Sequence, residues 1–356
     1  MNIYDTETML EGIKSAKKPT AFLKNNYFPT SESDFYATKK VVVDFESESD
    51  NRLAPGVIKE PVPVQRDGFE SHERTAPLIA PSMTLSVEQL DERQFNESIT
   101  SSRTPEDREA DYLTGDYEKL DNMITRTEEY MAARMLLDNA YTIMQYVDGY
   151  GTTKGQPFSI NFYGEGHTSN QAIYTPQSNW SVASQNILSD IAIMCQMLKK
   201  RGLPATDVIL GASAAEIFMR NTEVRDILDN RRLQLVAESV SPEEIDSGVT
   251  YLGRFNANGH SVNIYSYVAT YTNDSGQETN FFDANKIAVT AKGMGRTAYG
   301  AITQFENGSK EPKTYEKSRV PQVLVNERAN DRELVVRSRP LVMPKHLNAS
   351  ISATVL

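Results

Sequence analysis

The segment between Phe45 and Met83 limits the fold more than any other part of this 356-residue chain. It opens with Glu46-Ser-Glu-Ser-Asp50 and is then punctuated by Pro55, Gly56, Pro61, Pro63, Gly68, Pro77 and Pro81. Proline fixes φ and lacks the amide donor, so this density excludes a helix and a central strand. A structureless loop of such length is also rare inside a compact domain. Two readings remain open. Either the segment is a disordered linker, or it folds back as a long two-stranded arm in which residues 38–45 pair with about 68–80. Such an arm would reach something outside its own domain.

Beyond it, ordinary signals return. Thr104-Pro-Glu-Asp107 sets a capping residue ahead of Pro at the first helical position, with two acids in the first turn. Leu113, Tyr117, Leu120, Ile124, Met131 and Met135 keep mostly to one face, which predicts a helix to about Asn139. It would be roughly 50 Å long, or about 35 Å if Gly115 breaks its first turns. Residues 141–163 read as strands around Gly149, Gly151 and Gly155. Residues 182–200 read as a helix closed by Lys199-Lys200-Arg201-Gly202, where positive charge meets the dipole and glycine caps. A strand at 207–210 leads into a helix from Ser213 to about Asn221. Asn258-Gly259 marks a hairpin between 252–255 and 262–267, and Asp274-Ser-Gly276 marks another. The pattern is mixed α+β with a projecting arm.

Composition narrows the function. The apolar set is 39% of the chain and mean hydropathy is -0.48, which fits extended surface better than a compact enzyme. Net charge is -11, which repels nucleic acid and anionic membrane unless basic residues are segregated. One stretch is an exception: from Lys310 to Lys345 nine Lys and Arg face five acids, a local +4. The simplest reading of that stretch is salt bridges along a surface ribbon. One cysteine, Cys195, excludes an intrachain disulfide and lies in an apolar helical run that suits core packing. No signal peptide and no run of 18 apolar residues is visible, so a soluble protein of a reducing cytoplasm is expected.

Candidate chemistry is sparse. Gly293-Met-Gly295-Arg-Thr-Ala298 spells the dinucleotide-binding G-x-G-x-x-A, and residues 286–291 make a plausible strand leading in. That motif needs a helix leading out, whose amide-rich start holds the pyrophosphate. Here Tyr299-Gly-Ala-Ile-Thr-Gln-Phe305 predicts a strand instead, so no cofactor is expected. Gly211-Ala-Ser213-Ala-Ala215 resembles a nucleophile elbow without its closing glycine, which keeps a serine hydrolase as one alternative. Ser213 with Glu216 also spells a capping box, a sufficient structural role. His72 falls in the arm and His346 near the end, leaving His167 and His260 as possible bases. The histidines and cysteine form no close-spaced pair for a metal. Glu128-Glu129 reads as a solvated face. A monomeric binding module with a flexible linker at 46–80 is the other alternative.

The order of segments resembles the phage major capsid proteins of the lambda type, the capsid E family, which have the Hong Kong 97-type fold. The resemblance rests on Val41-Val-Val-Asp-Phe45 with Leu53-Ala-Pro-Gly56, Thr75-Ala-Pro-Leu-Ile-Ala-Pro81, and Glu128-Glu-Tyr-Met-Ala-Ala-Arg134 in the long helix. It continues through Trp180, Asp190, Leu203-Pro-Ala-Thr-Asp-Val-Ile-Leu-Gly211 and Asp283-Ala-Asn285-Lys-Ile-Ala-Val289 to Tyr299-Gly300. It implies an N-terminal arm at 1–36, an extended loop at 37–82, and a peripheral domain at 83–178 with a spine helix at about 104–139. An axial domain at 179–300 and return strands of the peripheral domain at 301–356 would follow. The implied function is that of a self-assembling major capsid protein, not an enzyme, with no metal or cofactor. Hexamers and pentamers of it would enclose double-stranded DNA in an icosahedral head without reading its sequence or meeting a membrane. Scaffolding protein, portal and, in some members, a decoration protein are the implied partners, with assembly in the bacterial cytoplasm and a final place in the virion. Arg66, Glu73, Arg74, Arg296, Arg337 and Arg339 are the candidate inter-subunit contacts. On this view the basic stretch pairs mostly with acids of adjacent subunits.

Overall fold

The computed structural model describes residues 20–46, 69–92, 104–145, 155–162, 173–182, 185–226, 243–273, 275–306, 311–326 and 330–356. Among the described residues helix α1 (Phe22–Tyr27) comes first, followed by strands β1 (Lys40–Glu46), β2 (Phe69–Thr75) and β3 (Ser82–Ser86). Helices α2 (Val87–Asp91) and α3 (Pro105–Asp138) lead into β4 (Ala140–Ile143), β5 (Phe158–Asn161) and β6 (Ile173–Tyr174). Helix α4 (Ile187–Lys200), β7 (Asp207–Gly211) and α5 (Ala212–Arg220) precede β8 (Glu243–Asp246), β9 (Val249–Ala257) and β10 (His260–Tyr267). The chain ends in strands: β11 (Thr270–Thr272), β12 (Glu278–Asn280), β13 (Lys286–Thr290), β14 (Gly295–Tyr299) and β15 (Ile302–Phe305). After them come β16 (Pro312–Tyr315), β17 (Val320–Asn326), β18 (Asp331–Arg337), β19 (Pro340–Pro344) and β20 (Ile351–Thr354).

Of the two readings of the proline-dense segment, its described ends form the arm. β1 and β2 pair antiparallel with Lys40 opposite Thr75 and Glu46 opposite Phe69. The tip, 47–68, lies outside the described residues. This ribbon is a two-stranded sheet of its own.

Helix α3 starts where the sequence says it should. Thr104 caps it and Asp107 closes a reciprocal box, with Pro105 at the first position. Gly115 does not interrupt it, so its 34 residues span about 50 Å. At its far end Asn139 adopts the left-handed conformation, φ 48°, and the hydroxyls of Ser350 and Ser352 donate to the carbonyls of Leu136 and Leu137. Its upstream half packs Tyr117, Leu120 and Ile124 against Val323, Leu334 and Val336 of the sheet β17-β18-β3. Its downstream half packs Met131 and Met135 into the main core.

That core adjoins a seven-stranded sheet of order β6-β20-β13-β7-β10-β9-β8. Its centre is β7, buried along its whole length, which accounts for the continuous apolar run Val208-Ile209-Leu210. Asn258 (φ 47°) and Gly259 (φ 89°) make the tight turn between β9 and β10, as their spelling predicts. The sheet crosses the boundary expected at residue 300. β20 lies between β13 and β6, so residues 351–354 belong with 207–290 rather than with the return strands. Ile351 and Ala353 on one face and Ser352 on the other are all buried, so both sides of β20 are covered over these residues.

Two helix starts differ from expectation. α4 begins at Ile187, capped by Asn186, five residues later than predicted. α5 is capped by Gly211, not Ser213. A side chain at Gly211 would sit 2.1 Å from the Asp283 carbonyl oxygen, so only glycine fits there. The 283–284 turn then supplies the acceptor, because the Ala214 amide donates to the Ala284 carbonyl at 3.0 Å. Ser213 falls inside the helix, and Glu216 pairs with Arg220 at 2.6 Å instead of closing a box.

Candidate functional site

Adjacent carboxylates on α3 organise the interior. The sequence suggested that Glu128 and Glu129 face water; both are fully buried. Their positions explain the error, since Glu128 follows Ile124 by four residues and precedes Met131 by three, a slot in the apolar stripe. A buried charge survives only with partners, and each glutamate has several.

Glu128 receives Arg319 through both oxygens, at 2.7 and 3.2 Å. The Lys24 ammonium lies 3.3 Å away, and the Tyr299 hydroxyl donates at 3.0 Å. Arg319 also donates to Asp121 at 2.6 Å and to Thr125 at 3.2 Å. Asp121, Thr125 and Glu128 therefore present one acidic face to one guanidinium. Burial alone would raise Glu128, but Arg319 and then Lys24 hold its carboxyl below the ordinary range. Burial also opposes the charge on Lys24, and Glu128 more than offsets it, so Lys24 stands above its usual value.

Glu129 has a different task. It accepts the amides of Leu23 and Lys24 at 2.8 and 3.0 Å, the open N-terminal donors of α1, and the Tyr267 hydroxyl at 2.8 Å. The spine helix thus caps the N-terminal helix from a distance of over a hundred residues. Burial dominates its titration and pushes it up to about 7, against the pull of its three donors.

From α1 the chain runs as a strap along β14. Asn26 accepts the Gly293 amide and Pro29 the Thr297 amide, and Tyr36 donates to the Tyr299 carbonyl. Thr38 accepts the Ala301 amide immediately before the arm begins. This settles the glycine motif in structural terms. Gly293 supplies a positive φ of 71°, and a side chain at Gly295 would meet the Phe28 ring at 2.1 Å. The segment continues as β14, paired with β19, so no helix N-terminus exists there to hold a phosphate.

The other candidates separate. Ser213 follows the C-terminal end of β7, whereas His260 begins β10, which runs parallel with Tyr267 beside Gly211. Seven residues of strand put them about 20 Å apart, too far for a base to serve the hydroxyl. His260 instead meets the Lys199 amine at 2.7 Å. His167 and Arg66 lie outside the described residues, as does the side chain of His72. Cys195 is buried in the core, with its thiol pushed up to about 11 by that burial. Among the described residues no helix is long and apolar enough to cross a membrane.

The proposed contact residues divide. Glu73 pairs with Lys40 across the arm at 2.7 Å, both exposed. Arg74 reaches the Asn161 carbonyl at 3.5 Å and has a buried Nε without a partner. Arg296, expected to be free, is held by Asp34 of the strap at 3.5 Å. Arg337 donates to the side-chain oxygens of Gln304 and Gln322, and Arg339 to the Ala76 carbonyl. Burial pulls both guanidiniums below their ordinary values. Within the basic stretch, Arg319 and Arg332 are spent on Glu128, Asp121 and Glu109 of the same chain rather than on a surface ribbon.

Comparison with known proteins gives this architecture its relatives. The family described as Phage major capsid protein E matches residues 5–355. A prophage protein of E. coli CFT073, solved as an assigned capsid protein, superposes with a TM-score of 0.67 at 16% identity, covering 99% of each chain. A phage-related protein from Bordetella bronchiseptica RB50 gives 0.52 at 10% identity, covering 94% of this chain and 91% of that one. The capsid of Ralstonia phage GP4 gives 0.50 at 10% identity, covering 96% and 93%. No curated protein sequence matches. The structural likenesses establish the fold as the Hong Kong 97-type, and the family match covers nearly the whole chain. This chain belongs to the phage major capsid protein E family and is a structural protein of the phage head shell.

Proposed function

We propose that the chain builds the icosahedral head of a tailed phage as hexamers and pentamers around packaged double-stranded DNA, with each arm laid over a neighbouring copy. The observation that carries this reading is the ribbon β1-β2, a two-stranded sheet separate from every other sheet of the described chain. Val41 seats the base of the ribbon in this chain's core, but a two-stranded ribbon running on beyond that core is marginal in water, so it needs a surface, and on this reading adjacent copies provide one. Many modest interfaces then hold a shell without any tight pair. The acidic chain suits a DNA container, because repulsion of phosphate keeps the genome off the wall. Assembly in the host cytoplasm with a scaffolding protein and a portal, and in some shells a decoration protein, belongs to the same reading. So do the division into arm, extended loop, peripheral and axial domains, and inter-copy roles for Arg66, Glu73, Arg74, Arg337 and Arg339.

The test is negative-stain electron microscopy of the expressed protein, alone and with its neighbouring gene products. Shells or tubes are expected. A monodisperse monomer under every condition refutes the reading.

A further inference from the structure

The turn Asn258-Gly259 at the tip of β9-β10 can undergo a reaction that needs only water and base. In an Asn-Gly pair the glycine amide nitrogen lies one ring closure from the asparagine carboxamide carbon, and glycine has no side chain to block the approach. Once it has lost its proton to hydroxide, that nitrogen attacks the carbon, a cyclic imide forms and ammonia leaves. Water then opens the imide at either carbonyl, to aspartate or to isoaspartate. The balance is asparagine plus water to an acid plus ammonia, and water does not restore the amide.

A fold can hold this reaction down by crowding the ring, by tying the carboxamide, or by holding the attacking amide. The first is absent, since a side-chain atom built at Gly259 would meet nothing within 4 Å. So is the second, because Asn258 is exposed and its carboxamide makes no hydrogen bond among the described residues. The third is present. Asn256, on the last turn-side stretch of β9, accepts the Gly259 amide on its Oδ1 at 2.9 Å. The attacking nitrogen must give up that same proton, so the bond stabilises the unreacted amide. The hairpin keeps Asn256 in place: it lies opposite Ser261, whose hydroxyl accepts Arg254 Nε at 2.7 Å.

We propose that Asn258 is a self-modification site of this chain, converted to aspartate or isoaspartate, and that Asn256 is the positioning residue that sets its rate by holding the Gly259 amide. The chemistry is that of the single chain and is independent of the shell. Its product carries a new carboxylate two residues before His260, whose ring the Lys199 amine meets at 2.7 Å. A second Asn-Gly pair, Asn307-Gly308, lies outside the described residues, so conversion has to be read peptide by peptide.

Full-length protein is held in mildly alkaline buffer, and peptide mass spectrometry follows the loss of Asn258 over time, with the urea-denatured chain as the unguarded reference. Native Asn258 is expected to react more slowly than Asn258 in urea. Asn256→Ala should speed the native reaction about two- to tenfold, the worth of one hydrogen bond. Asn256→Asp keeps an acceptor oxygen and should bring the rate back to within about twofold of the native one. Arg254→Ala removes the bond to Ser261 without touching the Gly259 amide and should leave the rate unchanged, which separates the held amide from general stiffness of the hairpin. The proposal is overturned if Asn256→Ala reacts at the native rate, if Arg254→Ala accelerates the loss as much, or if Asn256→Asp fails to restore it. A native Asn258 that reacts as fast as in urea, or that stays intact in both, also overturns it.

Discussion

Replacing Arg319 by Met tests the buried cluster directly. The side chain would keep similar bulk but remove the guanidinium's hydrogen bonds to Asp121, Thr125 and Glu128. Breaking a buried ion pair from one side costs about 3–5 kcal/mol, because the stranded charge stays desolvated. Glu128 would retain Lys24 at 3.3 Å and Tyr299 at 3.0 Å, whereas Asp121 would lose its ion-pair partner. The cost therefore falls at the lower end, about 3 kcal/mol. Urea unfolding of the subunit would show it as a midpoint drop of about 1 M for a slope near 3 kcal/mol/M. The pH dependence adds a second signature. Glu128 titrates below its unfolded value in the native protein, so its contribution is present above that unfolded value and is lost as pH falls through the folded one. Without Arg319 that acid-side loss should shrink. Converting the partners as well, with Asp121→Asn and Glu128→Gln, should recover part of that loss, since no carboxylate is then stranded although Lys24 loses its anion. A single-variant cost under about 1 kcal/mol, or additive behaviour of the three changes, would refute the assignment of Arg319 as the neutralising group.

Glu129 predicts the opposite slope. Its folded value, about 7, lies above its unfolded 4.5, so its contribution is full below 4.5 and is lost as pH rises toward 7. The loss is about 3 kcal/mol at most, from 1.36 kcal/mol per unit, and Glu129→Gln should flatten it in urea midpoints measured from pH 4.5 to 7.5; an unchanged slope would count against this residue. Two glycines should respond in opposite directions in thermal unfolding. Gly115→Ala has open space around the new methyl group and should stabilise by about 0.5–1 kcal/mol, whereas Gly211→Ala meets backbone at 2.1 Å and should cost about 1–3 kcal/mol. Equal effects would mean that the contact with the 283–284 turn is not what selects glycine.

Local chemistry made much of the fold legible. Thr104-Pro105 fixed the start of the spine, Asn258-Gly259 fixed a hairpin, and the aromatic run after Ala298 correctly denied the glycine motif its helix. Each signal acts within a few residues. Apart from the start of α4, set by the adjacent Asn186, the misreadings concern partners far away in the chain. Glu128 and Glu129 depend on residues 23, 24, 267, 299 and 319, and nothing near position 128 announces them. One clue was available, since a carboxylate in an otherwise apolar helical stripe is misplaced unless a cation comes to it. Ser213 failed as a cap for a similar reason, because the competing acceptor sits at Ala284. The seven-stranded sheet took in β20 through pairing that no periodicity encodes.

The cluster around Glu128 also sets an order of events during synthesis. Its carboxylate is made early, but the guanidinium that neutralises it emerges almost two hundred residues later. Until then α1 can reach both glutamates, with Lys24 beside Glu128, but Arg319 does not yet exist, so Asp121 and Glu128 lack the guanidinium they share. Native closure is therefore confined to the period after the ribosome has delivered residue 319. A fold dominated by such distant pairings closes slowly, which leaves the subunit soft and adhesive while its neighbours are being made.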